Sequence, residues 1–263
     1  MLIQDFHEKL DEQSKKLIKD GYFVFDIEDK KYLDLLRNDL LSYLRKYNSN
    51  ISDLGEIHKY IKIEDLNDVR LGFYNEINRD ELFSIKYLQL GFKAITNVAG
   101  TELASNKNVN FSMQLPNDES SKLPIHMDTF SGESPFQINL WVPLTDVNDT
   151  NSMFIFNPKF SKEVQNNLSD FEKGGLESLL ENNKDDYVFL NVPYGKAIIF
   201  TPTCLHGNVI NKTNKTRISF NCRYKNLFSP YNQKEGNEKK LGSFYKAISP
   251  KAATLIGLAN KLE

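Results

Sequence analysis

Short β-type runs, each ended by a turn, fill the second half of the chain and constrain its fold most. From about residue 108 apolar and polar residues alternate in stretches such as NVNFSMQL, FQINLWVPL, KAIIFT and TRISFNCRY. Alternation with a period of two is typical of strands with one buried face. Short strands at this spacing predict a sandwich, a barrel or a jelly roll. We therefore expect a mostly β protein whose core, over 108–228, is a jelly roll.

The first hundred residues have a different, helical pattern. DFHEKLDEQSKKLIKDG and DKKYLDLLRNDLLSYLRKY place apolar residues at helical spacing, with a strand-like YFVFDI between them. We predict a mainly helical support region over 1–107, a helical insertion near 161–183 and a tail over 229–263. No internal repeat or low-complexity linker divides the sequence, so residues 1–263 are expected to form one domain.

Composition excludes several classes of function. The 263 residues carry a net charge of −2, so no basic surface indicates nucleic acid as a partner. No apolar run approaches the length of a membrane span, and the N-terminal residues lack the pattern of a signal peptide. Two cysteines cannot build a disulfide framework. We expect a cytoplasmic protein that acts on a small molecule, and its oligomeric state is not predicted.

A histidine and an aspartate stand two apart in the run KLPIHMDTF. On a strand, residues i and i+2 point to the same side, so His126 and Asp128 could hold one divalent ion. Of the other histidines, His7 and His58 lie in the helical half, and only His206 lies in a late β-type run. Two histidines and one carboxylate are the ligand set of non-haem Fe(II) oxygenases. Zinc accepts the same ligands, so the three residues alone do not choose the metal.

An arginine and a serine follow the second histidine. GNVINKTNKTRISF reads as a strand, a polar turn and a strand, which predicts Arg217 and Ser219 on one face of the strand beside that of His206. A guanidinium grips a carboxylate with two hydrogen bonds. Arg223 lies six residues after Arg217 on the same run. Alternation would put both arginines on one face of the strand, so facing alone does not decide which of them binds the carboxylate. An unbroken strand would hold the two arginines roughly 20 Å apart, so we expect only one to reach the site, and prefer Arg217 for its serine partner.

The ordered motifs HMD, GKAIIFTPTCLHGN and RIS, with the opening DGYFVFDIEDKKYLDLLR, resemble the phytanoyl-CoA-dioxygenase-like branch of the Fe(II)/2-oxoglutarate oxygenases. Within that branch, the segment from NFSMQLP to SMFIF most resembles oxygenases of carbohydrate and aminoglycoside-type gene clusters. The resemblance runs from about Asp20 to Tyr224. It departs at Asn151, where a lysine is expected, so the role of that lysine is not carried over.

The resemblance implies that the jelly-roll core is a cupin-like double-stranded β-helix, and it implies specific roles for the motif residues. His126, Asp128 and His206 would bind Fe(II), and Arg217 with Ser219 would bind the cosubstrate 2-oxoglutarate. Further cosubstrate contacts would come from the inward face of NFSMQ and from the next strand, namely Asn110, Ser112, Gln114 and Trp141. Substrate would meet the loop after the HxD motif and the following strand, at Thr129, Ser131, Glu133 and Asn139.

The expected reaction uses O2 and releases succinate and CO2. Because the carboxylate ligand Asp128 is present, where halogenating relatives have a small residue, the resemblance favours hydroxylation of a carbohydrate-type or other secondary-metabolite intermediate, such as a sugar or nucleotide sugar.

Other interpretations of the same residues stay open at this point. A non-redox, cupin-like sugar isomerase or epimerase would use the same ligands with zinc or manganese, and Arg217 would then hold a substrate phosphate or carboxylate. A binding module with a vestigial site is a third possibility. Trp141 is as compatible with a buried core position as with a cosubstrate contact. Asn110, Ser112 and Gln114 could form an outward polar face.

Overall fold

Two antiparallel sheets form the centre of the protein in the computed structural model, which describes residues 9–172, 175–231 and 239–260. The strands of the described residues are Tyr22–Asp26 (β1), Leu103–Asn106 (β2), Asn110–Gln114 (β3), Gln137–Pro143 (β4), Met153–Phe156 (β5), Tyr187–Phe189 (β6), Lys196–Phe200 (β7), His206–Asn208 (β8), Arg217–Asn226 (β9) and Tyr245–Ile248 (β10).

The larger sheet has the order β1-β7-β4-β9-β2-β10, and β3 also pairs with β9. The smaller sheet has the order β6-β5-β8. Side chains of both sheets line one cavity, so the sheets face each other across it without closing into a barrel. The predicted β core is confirmed, and its strands are antiparallel.

Helices surround these sheets and hold more of the described residues than the strands do, so "mostly β" applies to the core alone. They are Glu12–Asp20 (α1), Lys30–Leu44 (α2), Ile63–Asn78 (α3), Phe83–Tyr87 (α4), Phe92–Ala99 (α5), Pro158–Asn166 (α6), Leu168–Glu172 (α7), Leu179–Asn182 (α8) and Ala252–Ala259 (α9). The 3-10 segments of the described residues are Leu54–Lys59, Leu88–Leu90, Glu119–Ser121, Asp128–Ser131, Asp149–Asn151 and Leu176–Ser178.

The ends of the first helix follow from its sequence. Asp11 accepts hydrogen bonds from the backbone N–H groups of Gln13 and Ser14, and Gly21 ends the helix with a φ of 81°. Parts of the predicted elements lie outside the described residues: 5–8 of the first helix, 173–174 of the insertion, and 232–238 and 261–263 of the tail. Among the helices of the described part, none is long and apolar enough to cross a membrane.

Strand β9 connects the hydrophobic core to the cavity. Its alternate side chains pack into the main core beneath the helices, where Phe83 and Tyr87 meet the ring of Phe220 edge-on at 6.1 and 6.0 Å. The core-facing residues of β9 are Ile218, Phe220, Cys222 and Tyr224. The intervening residues, Arg217, Ser219, Asn221 and Arg223, line the cavity on the opposite face. Packing of the core-facing residues therefore directs the side chains of the alternate residues into the cavity.

Candidate metal centre

The two predicted histidines lie opposite each other. His126 and His206 form an isolated antiparallel bridge, in which each backbone N–H donates to the carbonyl of the other at 3.0 and 2.9 Å. The prediction that His126 and Asp128 share a strand is wrong. Extended backbone ends at Met127, and Asp128 begins a 3-10 turn that Gly132 ends with a φ of 83°. The side chains still converge, because this turn directs the carboxylate to the side of the bridge.

One potential ligand atom from each of His126, Asp128 and His206 lies within 4.8 Å of the others. Asp128 Oδ1 is 3.7 Å from His126 Nε2 and 4.0 Å from His206 Nε2. These separations allow one divalent ion to contact all three after small side-chain adjustments. Two imidazole nitrogens and one carboxylate oxygen suit iron, zinc and related transition metals.

Backbone carbonyls set the tautomer of both histidines. Nδ1 of His126 donates to the carbonyl oxygen of Pro124 at 2.8 Å, and Nδ1 of His206 donates to that of Cys204 at 2.9 Å. A carbonyl only accepts, so each neutral ring has its lone pair on Nε2, toward the centre. Burial lowers the pKa of His206 to about 4, which keeps this ring in the neutral form that binds metal.

Asp128 is buried and held at both oxygens. Asn139 Nδ2 donates to Oδ2 at 2.7 Å, and Arg223 donates from its terminal nitrogen to Oδ1 at 3.0 Å and from Nε to Oδ2 at 3.4 Å. Burial alone would raise the pKa of Asp128, but the charge of Arg223 and the bonds from Arg223 and Asn139 lower it below its usual value. The carboxylate is therefore ionised and fixed in place before any metal arrives.

Arg217 and Ser219 lie on the opposite wall of the same cavity. The predicted hairpin with the strand of His206 is wrong, because β8 belongs to the smaller sheet and β9 to the larger, and residues 209–216 cross between them. Arg217 is 4% exposed and donates to Ser112 Oγ at 3.2 Å. Burial lowers its pKa to about 10, so it stays charged at neutral pH.

No acidic residue of the described chain pairs with Arg217. Its Nε and the Ser219 hydroxyl are both buried, and neither has a hydrogen-bond partner within the described part of the chain. A buried charge and a buried donor without partners are costly, and an anionic ligand in the cavity would satisfy both.

Arg223 also reaches the cavity, so the expectation that only one arginine would do so is wrong. The cavity has a volume of about 410 Å³ and extends along β9, so two residues six positions apart on this strand both border it. The two arginines have different partners. Arg217 bonds a neutral hydroxyl and is available to a ligand, whereas Arg223 is paired with Asp128.

The other predicted cosubstrate residues divide into two groups. Asn110, Ser112 and Trp141 line the cavity, the last with 5% of its surface exposed. Gln114 is buried and donates from Nε2 to the carbonyl of Val209 at 2.7 Å, so it ties β3 to the segment after β8.

The predicted substrate residues also differ in place. Asn139 lies behind Asp128 as its hydrogen-bond donor. Ser131 and Glu133 border a second cavity, and Glu133 is buried against Lys239 and Tyr245. The Thr129 hydroxyl is buried and has no hydrogen-bond partner among the residues that the structure describes.

Two further asparagines, Asn151 and Asn208, make hydrogen bonds that hold the local backbone. Asn151, where a lysine was expected, is buried, and its Oδ1 accepts from the backbone N–H of Asn148 at 2.7 Å, closing a local turn. Asn208, which the sequence did not single out, accepts from the backbone N–H of Leu123 and donates to the carbonyl of Ser121, which holds the strand of His206 against the segment before His126.

Residues from the helical half also reach the cavity. Arg70, on α3, lines it and donates to Ser121 Oγ at 3.3 Å. Nothing in the local sequence of α3 distinguishes this arginine from a surface one. The position of Asn221 in the cavity wall, by contrast, can be predicted from the alternation of β9, because Asn221 lies four residues after Arg217.

No protein-family model and no curated protein sequence matches the chain. Solved structures do. ThoJ, described as a non-haem monooxygenase, aligns in its apo form with a TM-score of 0.58 at 15% identity, over 94% of each chain. HygX from Streptomyces hygroscopicus, solved with nickel and 2-oxoglutarate bound, gives 0.52 at 13% identity, over 84% of this chain and 88% of its own.

A third similar structure is SnoK, a non-haem α-ketoglutarate-dependent carbocyclase from nogalamycin biosynthesis. It gives a TM-score of 0.51 at 13% identity, over 92% of this chain and 98% of its own. Identities this low establish the fold alone. The chain has the jelly-roll fold of these non-haem oxygenases, which confirms the predicted core, although the sheets do not close and helices outweigh strands.

Proposed function

We propose that the protein is a non-haem Fe(II)/2-oxoglutarate-dependent oxygenase. The observation that carries this proposal is the joint presence, in one cavity, of a His-Asp-His cluster and a buried guanidinium without an acidic partner. A metal cluster alone would suit many metalloproteins. Solved structures of the same fold include EctD with bound Fe and HygX with nickel and 2-oxoglutarate.

The roles of the residues follow from their positions. His126, Asp128 and His206 would hold Fe(II), with the lone pairs on Nε2 already directed by the Nδ1 hydrogen bonds. Arg217 and Ser219 would bind the far carboxylate of 2-oxoglutarate, which would give the unpartnered Nε and hydroxyl their acceptors. Iron and 2-oxoglutarate together supply the activation of O2, with release of CO2 and succinate and oxidation of a C–H bond.

The chain itself orders and shields the reacting groups. The ring of Phe200 contacts that of His206 edge-on, with centroids 5.0 Å apart, and thereby restricts the imidazole. Met153, Phe200 and Trp141 form an apolar part of the cavity wall. Because Asp128 occupies the carboxylate position, hydroxylation is the outcome we propose.

The sequence resemblance adds finer expectations to this proposal. It favours membership of the phytanoyl-CoA-dioxygenase-like branch and a carbohydrate-type or other secondary-metabolite substrate, such as a sugar or nucleotide sugar. No observation in the structure favours the non-redox sugar isomerase or epimerase, which is therefore left as the alternative that the next experiment separates.

Adding Fe(II) and 2-oxoglutarate to the protein without oxygen is expected to produce a weak visible charge-transfer band. The band requires both additions, because it arises when the keto acid chelates iron in this centre. Zinc in place of iron is the control and should give no band. Admitting O2 should then remove the band and yield succinate. Absence of both the band and succinate would reject the oxygenase and favour a non-redox metal enzyme.

A further inference from the structure

A second cavity meets the metal centre from the side of the C-terminal segment 239–248. Its volume is about 540 Å³. His126, Asp128 and Arg223 border both this cavity and the one that contains Arg217. A small molecule in the second cavity would therefore lie next to the metal ligands without occupying the place of a keto acid anchored at Arg217.

The charges around the second cavity are arranged in two layers. The carboxylates of Asp128 and Glu133 are deeply buried, at 3% and 2% exposure, and both accept hydrogen bonds. The cationic side chains are more accessible, 24% for Lys239 and 16% for Arg223. Lys239 Nζ donates to Glu133 Oε1 at 2.7 Å and to the carbonyl of Ser131 at 2.8 Å, and the lysine is the more exposed partner of this ion pair. A ligand in this cavity would thus meet cationic hydrogen-bond donors before it met either acid.

Apolar surface lies beside these donors. Leu123 is 49% exposed and borders the cavity, and the ring of Phe244 lies 5.3 Å from Lys239 Nζ. The combination suits a small molecule that carries an anionic oxygen group and an apolar or ring portion. The first would contact Lys239 and the second would pack on Leu123 and Phe244.

We propose that the second cavity binds the primary substrate, and that Lys239 selects substrates with a carboxylate or phosphate group. The inference rests on the proposed function, because it assumes that the neighbouring cavity holds 2-oxoglutarate. Lys239 and Phe244 would then be specificity-determining residues supplied by the C-terminal segment, far in sequence from every metal ligand.

Paramagnetic line broadening tests this assignment without knowledge of the natural substrate. The protein is loaded with Mn(II) and saturating 2-oxoglutarate, and the proton signals of phenylacetate, phenyl phosphate and neutral 2-phenylethanol are compared. We expect the better of the two anionic probes to be broadened on the order of three- to fivefold more than the neutral one, the gain of one partly exposed ion pair. Stronger broadening of phenylacetate would indicate a carboxylate substrate, and stronger broadening of phenyl phosphate would indicate a phosphate substrate.

Variants locate the effect. Lys239→Gln should reduce the broadening of the anionic probes to that of the neutral probe, and Lys239→Arg should retain it. Lys240→Gln, an exposed neighbour outside the cavity wall, is the matched control and should change nothing.

The possible failures are distinguishable. If Mn(II) does not bind, the proposed function falls and this inference with it. If Mn(II) binds but the neutral probe is broadened equally, or Lys239→Gln has no effect, the substrate assignment alone is wrong. Broadening that disappears as 2-oxoglutarate is added would place the probes at Arg217 and would also overturn the assignment.

Discussion

Replacing Asp128 by alanine is expected to lower the affinity for Fe(II) by more than about a hundredfold and to abolish succinate formation. Loss of groups that only orient metal ligands typically costs 10- to 100-fold, and Asp128 is itself placed as a ligand. It is also the one carboxylate of the metal cluster found in the described chain. Its removal would leave the partly buried Arg223 guanidinium with only Glu133, 3.8 Å away, so that a less neutralised cation would oppose the incoming metal.

The measurement is a titration with Fe(II), excluding oxygen, for wild type and variant. Asp185→Ala, an exposed carboxylate outside this cavity, serves as the control and should bind iron normally. Asp128→Asn separates shape from charge: it keeps the volume but cannot accept two charged hydrogen bonds from Arg223 in the same way, so it should also fail. Normal iron affinity in Asp128→Ala would contradict the assigned ligand set.

Replacing Arg217 by glutamine is expected to raise the 2-oxoglutarate concentration needed for half-maximal turnover by about ten- to a hundredfold, with iron affinity unchanged. Hydrogen bonds to a charged group contribute about 1.5–3 kcal/mol, which corresponds to this range. Arg217 is buried and bonds only the Ser112 hydroxyl among the described residues. Glutamine removes a buried charge that has no acidic partner, so the variant should be at least as stable as wild type.

Arg223→Gln is the matched comparison, since Arg223 lies on the same face of β9. It should weaken iron binding through Asp128 and leave the 2-oxoglutarate requirement less affected. Arg217→Lys should recover only part of the function, because an ammonium cannot form the paired bonds of a guanidinium. If Arg223→Gln raises the 2-oxoglutarate requirement and Arg217→Gln does not, the two roles have been exchanged.

The cluster of three potential ligands could be predicted because the chain offers few alternatives. With only four histidines, two of them in the helical half, the pairing of His206 with the HxD motif depends on the region in which each histidine lies and not on its strand partners. That is why the prediction succeeded although the strand assumed for His126 and Asp128 is a bridge followed by a 3-10 turn. Alternation along β9 likewise predicts that Arg217 and Ser219 share one face, because residues two apart on a strand point to the same side whichever strand it pairs with.

Features that depend on partners from distant segments could not be predicted. The sequence suggested a hairpin between β8 and β9, but strand pairing is decided by packing of the whole sheet, which separates them. The role of Arg223 required the position of Asp128, and the burial of Glu133 required Lys239 and Tyr245, more than a hundred residues later in the chain. The prediction of Glu133 at the substrate mouth depends on its loop alone, and nothing in the sequence near it indicates its two buried partners.

A crystal structure with Fe(II) and 2-oxoglutarate, prepared without oxygen, tests the central claim most directly. We expect anomalous density for iron between His126 Nε2, Asp128 Oδ1 and His206 Nε2, and the far carboxylate of the keto acid on Arg217 and Ser219. Iron bound elsewhere, or a keto acid whose far carboxylate contacts Arg223 while Arg217 still bonds only Ser112, would contradict it.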